Sequence, residues 1–252
     1  MLNYVEYGKE NKYDDDIFFQ KYSQMSRSQQ GLAGAGEWET LRKLLPDFKD
    51  KRVLDLGCGY GWHCIYAMEH GASSVVGVDI SHKMLEVAKE KTHFPQVEYK
   101  CCAIEDVEFP EESFDVILSS LAFHYVADYE ILVKKIYRIL KSGGKLVFTV
   151  EHPVFTAYGT QDWYYNEKGE ILHFPVDNYY YEGKRTAVFL GEKVTKYHRT
   201  LTTYLNTLLS NGFIINHIVE PQPPENMMDI PGMQDEMRRP MMLIVSARKG
   251  CK

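Results

Sequence analysis

Three glycines at alternate positions follow a short apolar run in residues 53–63, which read VLDLGCGYGWH. Because glycine has no Cβ, Gly57, Gly59 and Gly61 allow a sharp turn and a close approach of a ligand to amides at a helix start. Dinucleotide-binding proteins use a related turn, but with the spacing GxGxxG. Asp55 lies two residues before the first glycine, where its carboxylate would repel a pyrophosphate. The segment therefore predicts a loop for a ligand that bears an ammonium group.

A second carboxylate, Asp79, closes the next apolar run, VVGVD. In nucleotide-binding α/β folds, an acid at the end of the second strand accepts hydrogen bonds from the ribose hydroxyls. We therefore expect the ligand to carry a ribose as well as an ammonium group. The two features together favour S-adenosylmethionine over a dinucleotide.

Short apolar runs alternate with helical patterns from residue 53 onward, as in βαβ units around a mostly parallel sheet. Ser81 can cap a helix to about residue 91, and Asp128 can cap one to about residue 141, with Gly143 and Gly144 as stop signals. A further helix is expected from residue 201. In such sheets ligands bind at the carboxyl ends of the strands. The predicted strands cover residues 53–56, 74–79, 97–101, 114–119, 145–150, 213–220 and 241–247.

Residues 151–199 interrupt this alternation and are rich in aromatic side chains. Most of them should pack, but their density predicts a wall for an apolar or aromatic ligand. The aromatic residues are Phe155, Tyr158, Trp163, Tyr164, Tyr165, Phe174, Tyr179, Tyr180, Tyr181, Phe189 and Tyr197. The chain is thus expected to form one domain with four segments, namely an N-terminal helical lid (1–45), a cofactor-binding core (46–150), a substrate cap (151–199) and a C-terminal helix and strand pair (200–252).

The composition is that of an acidic folded protein of 252 residues, with 44% hydrophobic side chains and a formal net charge of −6. Negative charge disfavours unaided binding to a phosphate backbone, so we expect a small-molecule partner and no nucleic acid. The N-terminal residues lack the features of a signal peptide and no apolar run reaches membrane-spanning length, which predicts a cytoplasmic protein without membrane contact. The five cysteines lack zinc-ligand spacing, and we expect free thiols, no metal, and a monomer or homodimer.

Four segments in a fixed order carry a family resemblance: VLDLGCGYGW, VVGVDIS, FPEESFDVILSSLAFHYV and LKSGGKLVFTVEHP. They resemble the class I S-adenosylmethionine-dependent methyltransferases, in particular the broad small-molecule subgroup. The resemblance implies a Rossmann-like α/β fold with a seven-stranded, mostly parallel sheet, helices on both faces and an antiparallel last strand. It also implies methyl transfer from S-adenosylmethionine, with S-adenosylhomocysteine as product. A non-catalytic S-adenosylmethionine-binding module and an NAD(P)-dependent oxidoreductase stay open as alternatives.

The resemblance also implies contacts to the cofactor, residue by residue. The family commonly has an acid where Ala103 stands, contacting the adenine amino group, so here Glu105 becomes a candidate for that contact. Ile104 can offer its amide and side chain to the adenine ring. The remaining implied contacts are Asp55, Gly57, Cys58, Gly59 and Gly61 in the glycine loop, Asp79 and Ile80 at the ribose, and Ser119 and Leu121 near the methyl group.

Two further groups of residues follow from the same resemblance. Leaders of this subgroup often fold over the cofactor, which makes Tyr22 and Arg27 candidates for the methionine carboxylate end, with an ordinary surface helix as the alternative. A hydroxyl or protonated amine acceptor would need a general base, and the candidates in order are His124, His152 and Glu151. A carbon acceptor or a neutral amine would need no base, and His124 could equally be packed between Phe123 and Tyr125.

Overall fold

A seven-stranded sheet forms the centre of the protein, which we describe from a computed structural model that covers residue 9 and residues 11–250. The strand order is β10-β11-β5-β4-β1-β2-β3. Strands β1 to β5 pair in parallel, and β11 pairs antiparallel with both β5 and β10. This confirms the predicted Rossmann-like sheet. The sheet strands are β1 Arg52–Leu56, β2 Ser74–Asp79, β3 Val97–Cys101, β4 Phe114–Ser120, β5 Leu140–Glu151, β10 Phe213–Val219 and β11 Met242–Lys249.

Eight α-helices accompany the sheet in the described part of the chain. The two predicted caps are present, because Ser81 Oγ accepts from the amide of Met84 and Asp128 Oδ1 accepts from the amide of Ile131. These bonds satisfy amides that a helix start would otherwise leave unpaired. The helices are α1 Asp16–Ser23, α2 Ser26–Gln30, α3 Trp38–Leu41, α4 Trp62–Glu69, α5 His82–Lys91, α6 Tyr129–Ile139, α7 Pro153–Thr156 and α8 Leu201–Ser210.

Helix α6 ends two residues before the predicted end at residue 141, because Leu140 is already extended and pairs with Phe114. The expected stop signals Gly143 and Gly144 therefore lie inside β5 rather than after a helix. Gly143 has a φ of +72° at the irregularity where the β4–β5 register shifts. A glycine is suited to that position because it adopts positive φ without a steric penalty.

Residues 151–199 stay outside the main sheet, as the loss of alternation predicts. After α7 they form two antiparallel hairpins, which the sequence analysis did not predict. The strands are β6 Tyr164–Tyr165, β7 Ile171–His173, β8 Gly183–Phe189 and β9 Glu192–His198. The first residues of the predicted lid, 1–8 and 10, and the last two of the C-terminal segment lie outside the described residues.

Buried apolar side chains cover both faces of the sheet, since neighbouring strand residues point to opposite sides. Leu54 packs with the cluster that includes helices α6 and α8, whereas Val53 packs with the cluster under α3 and α4. Chain order reverses at β1, between β4 and β2, and the crevice for a ligand lies at such a point. None of the helices in the described ranges is long and apolar enough to cross a membrane.

Candidate active site

A cavity of about 480 Å³ lies at the carboxyl ends of β1, β2, β4 and β5. Its floor includes Gly57, Gly59 and Asp79, which follow or end β1 and β2. Its far wall includes Glu151 at the end of β5. The N-terminal segment and the β8–β9 hairpin also contribute to its walls. One continuous cavity therefore connects the glycine loop to the insertion.

The glycine loop adopts the backbone that its composition predicts, with φ of +78°, +52° and +75° at Gly57, Gly59 and Gly61. A Cβ on Gly57 would clash with the Cβ of Ala122, whereas a Cβ on Gly59 would meet no atom within 4 Å. Gly59 is therefore the point where the backbone is open to the cavity. Gly61 lies behind the cavity wall, and a Cβ there would clash with the hydroxyl of Tyr99.

Asp79 is placed at the cavity as predicted, at the end of β2. Its Oδ2 accepts from the amide of Gly59 at 2.9 Å, and its Oδ1 accepts from the amide of Ser81 at 2.9 Å. Burial raises the pKa of Asp79, while these two hydrogen bonds oppose the shift. Each carboxylate oxygen can accept a second hydrogen bond, so the group can still bind hydroxyls from the cavity.

Asp55 is not brought to the cavity, although its place in the motif suggested a direct contact with the ligand. It is 1% exposed inside β1, and its Oδ1 has no partner among the described residues. Its Oδ2 accepts only a thiol hydrogen bond from Cys64, at 3.5 Å. Burial raises the pKa of Asp55 to about 7, with the nearby charge of Asp79 adding to the shift. The side chain faces the packed interior because the strand alternation turns it away from the crevice.

Ile80 and the three residues implied for adenine line the same cavity. Ile80, Ala103, Ile104 and Glu105 all line it, after β2 and β3. Cys58 does not line it, and instead lines a smaller cavity of about 80 Å³ next to the glycine loop. Those four side chains are therefore available to a ligand in the main cavity, and Cys58 is not.

The segment after β4 differs from the expectation by one residue. Ser119 does not reach the cavity, because it is buried and its Oγ donates to the carbonyl of Leu56 at 2.7 Å. Its neighbour Ser120 lines the cavity instead, since adjacent strand residues face opposite sides. Leu121 also lines it, with a φ of +53° that marks the sharp turn out of the strand. The predicted position of Ser119 is therefore corrected to Ser120.

Tyr22 and Arg27 of the N-terminal segment both line the cavity. Arg27 forms a short ion pair with Oε1 of Glu37, a residue that the sequence analysis missed. Glu37 is 3% exposed, and its Oε2 has no partner among the described residues. The pair therefore presents a guanidinium and a half-satisfied carboxylate on the same wall. The only sequence signal for Glu37 is its position after the glycine-rich stretch AGAG.

The N-terminal segment packs directly on the insertion. Phe18 of α1 is fully buried in a cluster with Ala187 of β8 and Val194 of β9. Lys21 Nζ donates to the carbonyl of Leu190 at 3.0 Å, at the tip of the same hairpin. These contacts join the two segments that flank the cavity.

A charged pair lies in the part of the cavity that faces the insertion. Lys196 Nζ donates to Glu151 Oε1 at 2.5 Å and to Gln161 Oε1 at 2.9 Å, and Gln161 Nε2 donates to Glu151 Oε2 at 2.7 Å. Burial acts to raise the pKa of Glu151, but the imidazole of His124 when charged, the Lys196 ammonium and the hydrogen bonds outweigh it and lower the pKa. All four side chains line the cavity. Lys196 and Gln161 were missed because their partner is distant in sequence.

His152 does not reach the cavity, which removes it from contact with an acceptor there. Its Nδ1 accepts from the amide of Val154 at 3.1 Å, so it caps helix α7. Its Nε2 lies 2.9 Å from Oε1 of Glu220, the residue that follows β10. Burial is the largest influence on His152 and lowers its pKa, against the charge of Glu220.

Few of the aromatic side chains of the insertion face the cavity. Phe155 and Phe189 line it. Trp163 and Phe174, together with Phe155, surround the guanidinium of Arg239 at 4.4 to 5.0 Å from the ring centroids. Cation–π contacts of this kind stabilise a buried arginine. Five other aromatic side chains of the insertion are exposed, so most of its aromatic residues do not form a ligand wall: Tyr158, Tyr164, Tyr165, Tyr180 and Tyr181.

Comparison with known proteins identifies the family. The family described as "Methyltransferase domain" matches residues 54–148. The crystal structure of an S-adenosylmethionine-dependent methyltransferase from Mesorhizobium loti is 41% identical, covers 87% of this chain and 100% of that chain, and superposes with a TM-score of 0.80. A Listeria monocytogenes structure assigned to the same class is 58% identical, with 87% and 99% covered and a TM-score of 0.83.

A curated relative agrees in length with this chain. An uncharacterized protein of Haemophilus influenzae is 35% identical over 250 residues, which cover 94% of this chain and 96% of that protein. The similarity to the Mesorhizobium loti and Listeria monocytogenes structures likewise includes nearly the full length of those proteins, and not the glycine loop alone. This chain therefore belongs to the family of S-adenosylmethionine-dependent methyltransferases.

Proposed function

We propose that this enzyme transfers the methyl group of S-adenosylmethionine to a small-molecule acceptor held in the part of the cavity that faces the insertion. The observation that carries the proposal is the single cavity of about 480 Å³, which reaches from Gly59 and Asp79 to Glu151 and Phe189. S-adenosylmethionine supplies an already activated methyl group, so the protein has mainly to align two molecules and exclude water. A cavity with space for both suits that task.

The donor side fits the chemistry of S-adenosylmethionine at three points. Asp79 retains lone pairs for the ribose hydroxyls, and Gly59 leaves the backbone open to a ligand. Arg27 and Glu37 offer opposite charges, which suit the carboxylate and the ammonium of an amino-acid group respectively. We assign Ile80, Ala103, Ile104 and Glu105 to the adenine end, and Ser120 and Leu121 to the region of the methyl group.

Asp55 supports the loop indirectly in this proposal. It lies beneath the glycine turn and contacts Cys64 of α4, so it does not bind the ammonium group itself. Its role is to hold the strand end and the helix start together. Cys58 and Gly61 likewise act through the shape of the loop, because neither lines the main cavity, whereas Gly57 does.

The N-terminal segment and the insertion act as lid and cap in this proposal. Phe18 joins the two through Ala187 and Val194, and both segments line the cavity between them. A ligand covered from two sides is shielded from water during transfer. A covered cavity of this size also favours a small-molecule acceptor over a macromolecule. The buried free thiols of Cys58 and Cys64 support a reducing compartment, and we propose the cytoplasm.

Calorimetry followed by a transfer assay tests the proposed function. S-adenosylmethionine should bind and NAD should not, because the Arg27–Glu37 pair matches an amino-acid group, which NAD lacks. Label from methyl-labelled S-adenosylmethionine should then appear in a small-molecule fraction of a metabolite extract. The Gly57→Val variant is the matched negative control. Binding of S-adenosylmethionine without any transfer from extracts of several growth conditions would contradict catalysis.

A further inference from the structure

Glu151, a candidate base in the part of the cavity that faces the insertion, is tied to a neighbouring cation. Both carboxylate oxygens of Glu151 accept hydrogen bonds, one from Lys196 and one from Gln161. Glu151 lies beside the Lys196 ammonium, and the Lys196 side chain is 3% exposed whereas that of Glu151 is 15% exposed. Taking a proton from an acceptor would neutralise Glu151 and leave the Lys196 charge buried without a counter-ion, which is costly. Glu151 is therefore a poor general base.

His124 lines the cavity, and its hydrogen bonding decides which ring nitrogen carries the proton. Its Nδ1 accepts from the amide of Glu151 at 3.4 Å, so in the neutral ring the proton resides on Nε2. Burial lowers the pKa of His124 to about 4, with Glu151 opposing the shift, and the ring is neutral at physiological pH. The ring lines the cavity, and Nε2 is the nitrogen left for a ligand. His124 is thus a hydrogen-bond donor there.

Lys196 adds a second donor. Its ammonium has three N–H groups, of which two are used by Glu151 and Gln161. The third is left for the cavity that Lys196 lines, where the Phe189 ring lies 5.5 Å from Nζ. The third candidate base, His152, lies outside the cavity. This part of the cavity thus combines two donors with an apolar wall, and none of the three candidate bases, all within the described residues, is free to take a proton there.

We propose that the methyl acceptor is an apolar molecule with an anionic oxygen, of a carboxylate or a phenolate, which His124 Nε2 and Lys196 Nζ bind and which is methylated without a protein base. The inference rests on the proposed function. A lone pair of the anionic oxygen forms the new O–CH₃ bond as the methyl–sulfonium bond breaks, and its electrons remain on sulfur. The anion and the sulfonium become a neutral ester or ether and a thioether, so charge balances and no proton moves.

Two pairs of probes test this inference on the full-length protein with saturating S-adenosylhomocysteine. The carboxylate pair is hydrocinnamate and its neutral amide, and the phenolate pair is para-nitrophenolate and para-nitroaniline. Calorimetry should show that the anion of at least one pair binds about tenfold more tightly than its neutral partner, as charge-assisted hydrogen bonds predict. The pair that shows the preference distinguishes a carboxylate from a phenolate acceptor.

Variants connect the preference to the two donors. The double variant Glu151→Gln/Lys196→Met removes both charges without leaving one unpaired, and should reduce the preference to about twofold or less. His124→Phe keeps an aromatic ring but removes the hydrogen-bond donor, and should reduce the preference for the anion about fivefold. Lys193→Met is the matched control, because Lys193 is exposed on the same strand, β9, and its loss should preserve the preference. A preference that survives the double variant overturns the assignment to Lys196.

With S-adenosylmethionine in place of the product, the preferred anion should give a methyl ester or ether whose mass is measured directly. Because hydrocinnamate is ionised throughout, its rate should change less than about twofold between about pH 6 and pH 8. Equal binding within both pairs, no binding of either anion, or no methylated product overturns the inference. S-adenosylhomocysteine is titrated first, so loss of its binding would instead contradict the proposed function.

Discussion

The buried carboxyl of Asp55 should make the stability of this enzyme depend on pH in an unusual direction for an aspartate. The folded-state pKa is raised to about 7 from an ordinary value of 3.8, because the group is buried and Oδ1 is unpartnered in the described structure. A group whose folded pKa is raised stabilises the fold fully below the unfolded pKa and loses that contribution as pH rises through the folded pKa. The stability of the fold should therefore decrease between about pH 4 and pH 7, and the contribution of Asp55 should be fully lost at about pH 8.

The size of the effect follows from the two pKa values. A difference of about 3 pKa units corresponds to about 4 kcal/mol of stability lost between low pH and pH 8. About 2.5 kcal/mol of that falls between pH 5 and pH 8, where the protein is convenient to study. Asp55→Asn removes the ionisation, so its free energy of unfolding should lack this component. Its unpaired amide costs about 1 to 3 kcal/mol at every pH, which shifts the curve without changing its slope.

Urea unfolding of both proteins at pH 5, 6.5 and 8 provides the measurement. The free energy of unfolding of Asp55→Asn, minus that of the wild type, should increase by about 2.5 kcal/mol from pH 5 to pH 8. Asp229→Asn is the matched control, because Asp229 is an exposed carboxylate and its variant should follow the wild-type profile. A difference for Asp55→Asn that stays constant over this range would refute the reasoning, since Asp55 would then ionise alike in both states.

Three further results are expected. Asp79→Ala should weaken S-adenosylmethionine binding by about 1.5 to 3 kcal/mol in calorimetry without unfolding the chain, and unchanged affinity would remove Asp79 from the ribose role. Gly57→Val should abolish that binding, because the new Cβ would clash with Ala122. Gly169→Val is the control and should bind normally, because Gly169 has the same φ of +78° but a Cβ there would meet no atom within 4 Å. In hydrogen exchange, S-adenosylhomocysteine should slow the amides of residues 22–27 in the N-terminal segment, and an unchanged rate at saturation would exclude this segment from the donor site.

The glycine loop shows how much a local pattern can determine. The spacing of Gly57, Gly59 and Gly61 predicts positive φ values directly after a strand, and all three are present. Ser81 and Asp128 cap helices for the same reason, because a cap bond joins residues only three apart. The order of strands and helices then selects the fold, since right-handed connections between parallel strands leave few topologies. The glycine turn and the helix caps each involve only a few neighbouring residues, so the sequence alone predicts them.

The side of a strand on which a residue lies was decided by the folded structure in two places. Ser119 and Ser120 are both compatible with the motif, but the sheet register places Ser120 at the cavity and ties Ser119 to Leu56. Asp55 belongs to the loop motif, yet it faces the interior. A shift of one residue reverses the face on which a strand residue lies, and a motif alone does not set that register.

The charged pairs of the site were beyond the reach of the sequence. Glu37 meets Arg27 across a turn, and Lys196 meets Glu151 across 45 positions of the chain, so neither partner follows from local spacing. His124 became a donor only because the amide of Glu151, from the neighbouring strand, occupies its Nδ1. Backbone conformation depends on nearby residues, whereas ion pairs and imidazole tautomers depend on packing between distant elements. The sequence by itself therefore determined the donor loop and the fold, and the tertiary structure decided the chemistry of the acceptor side.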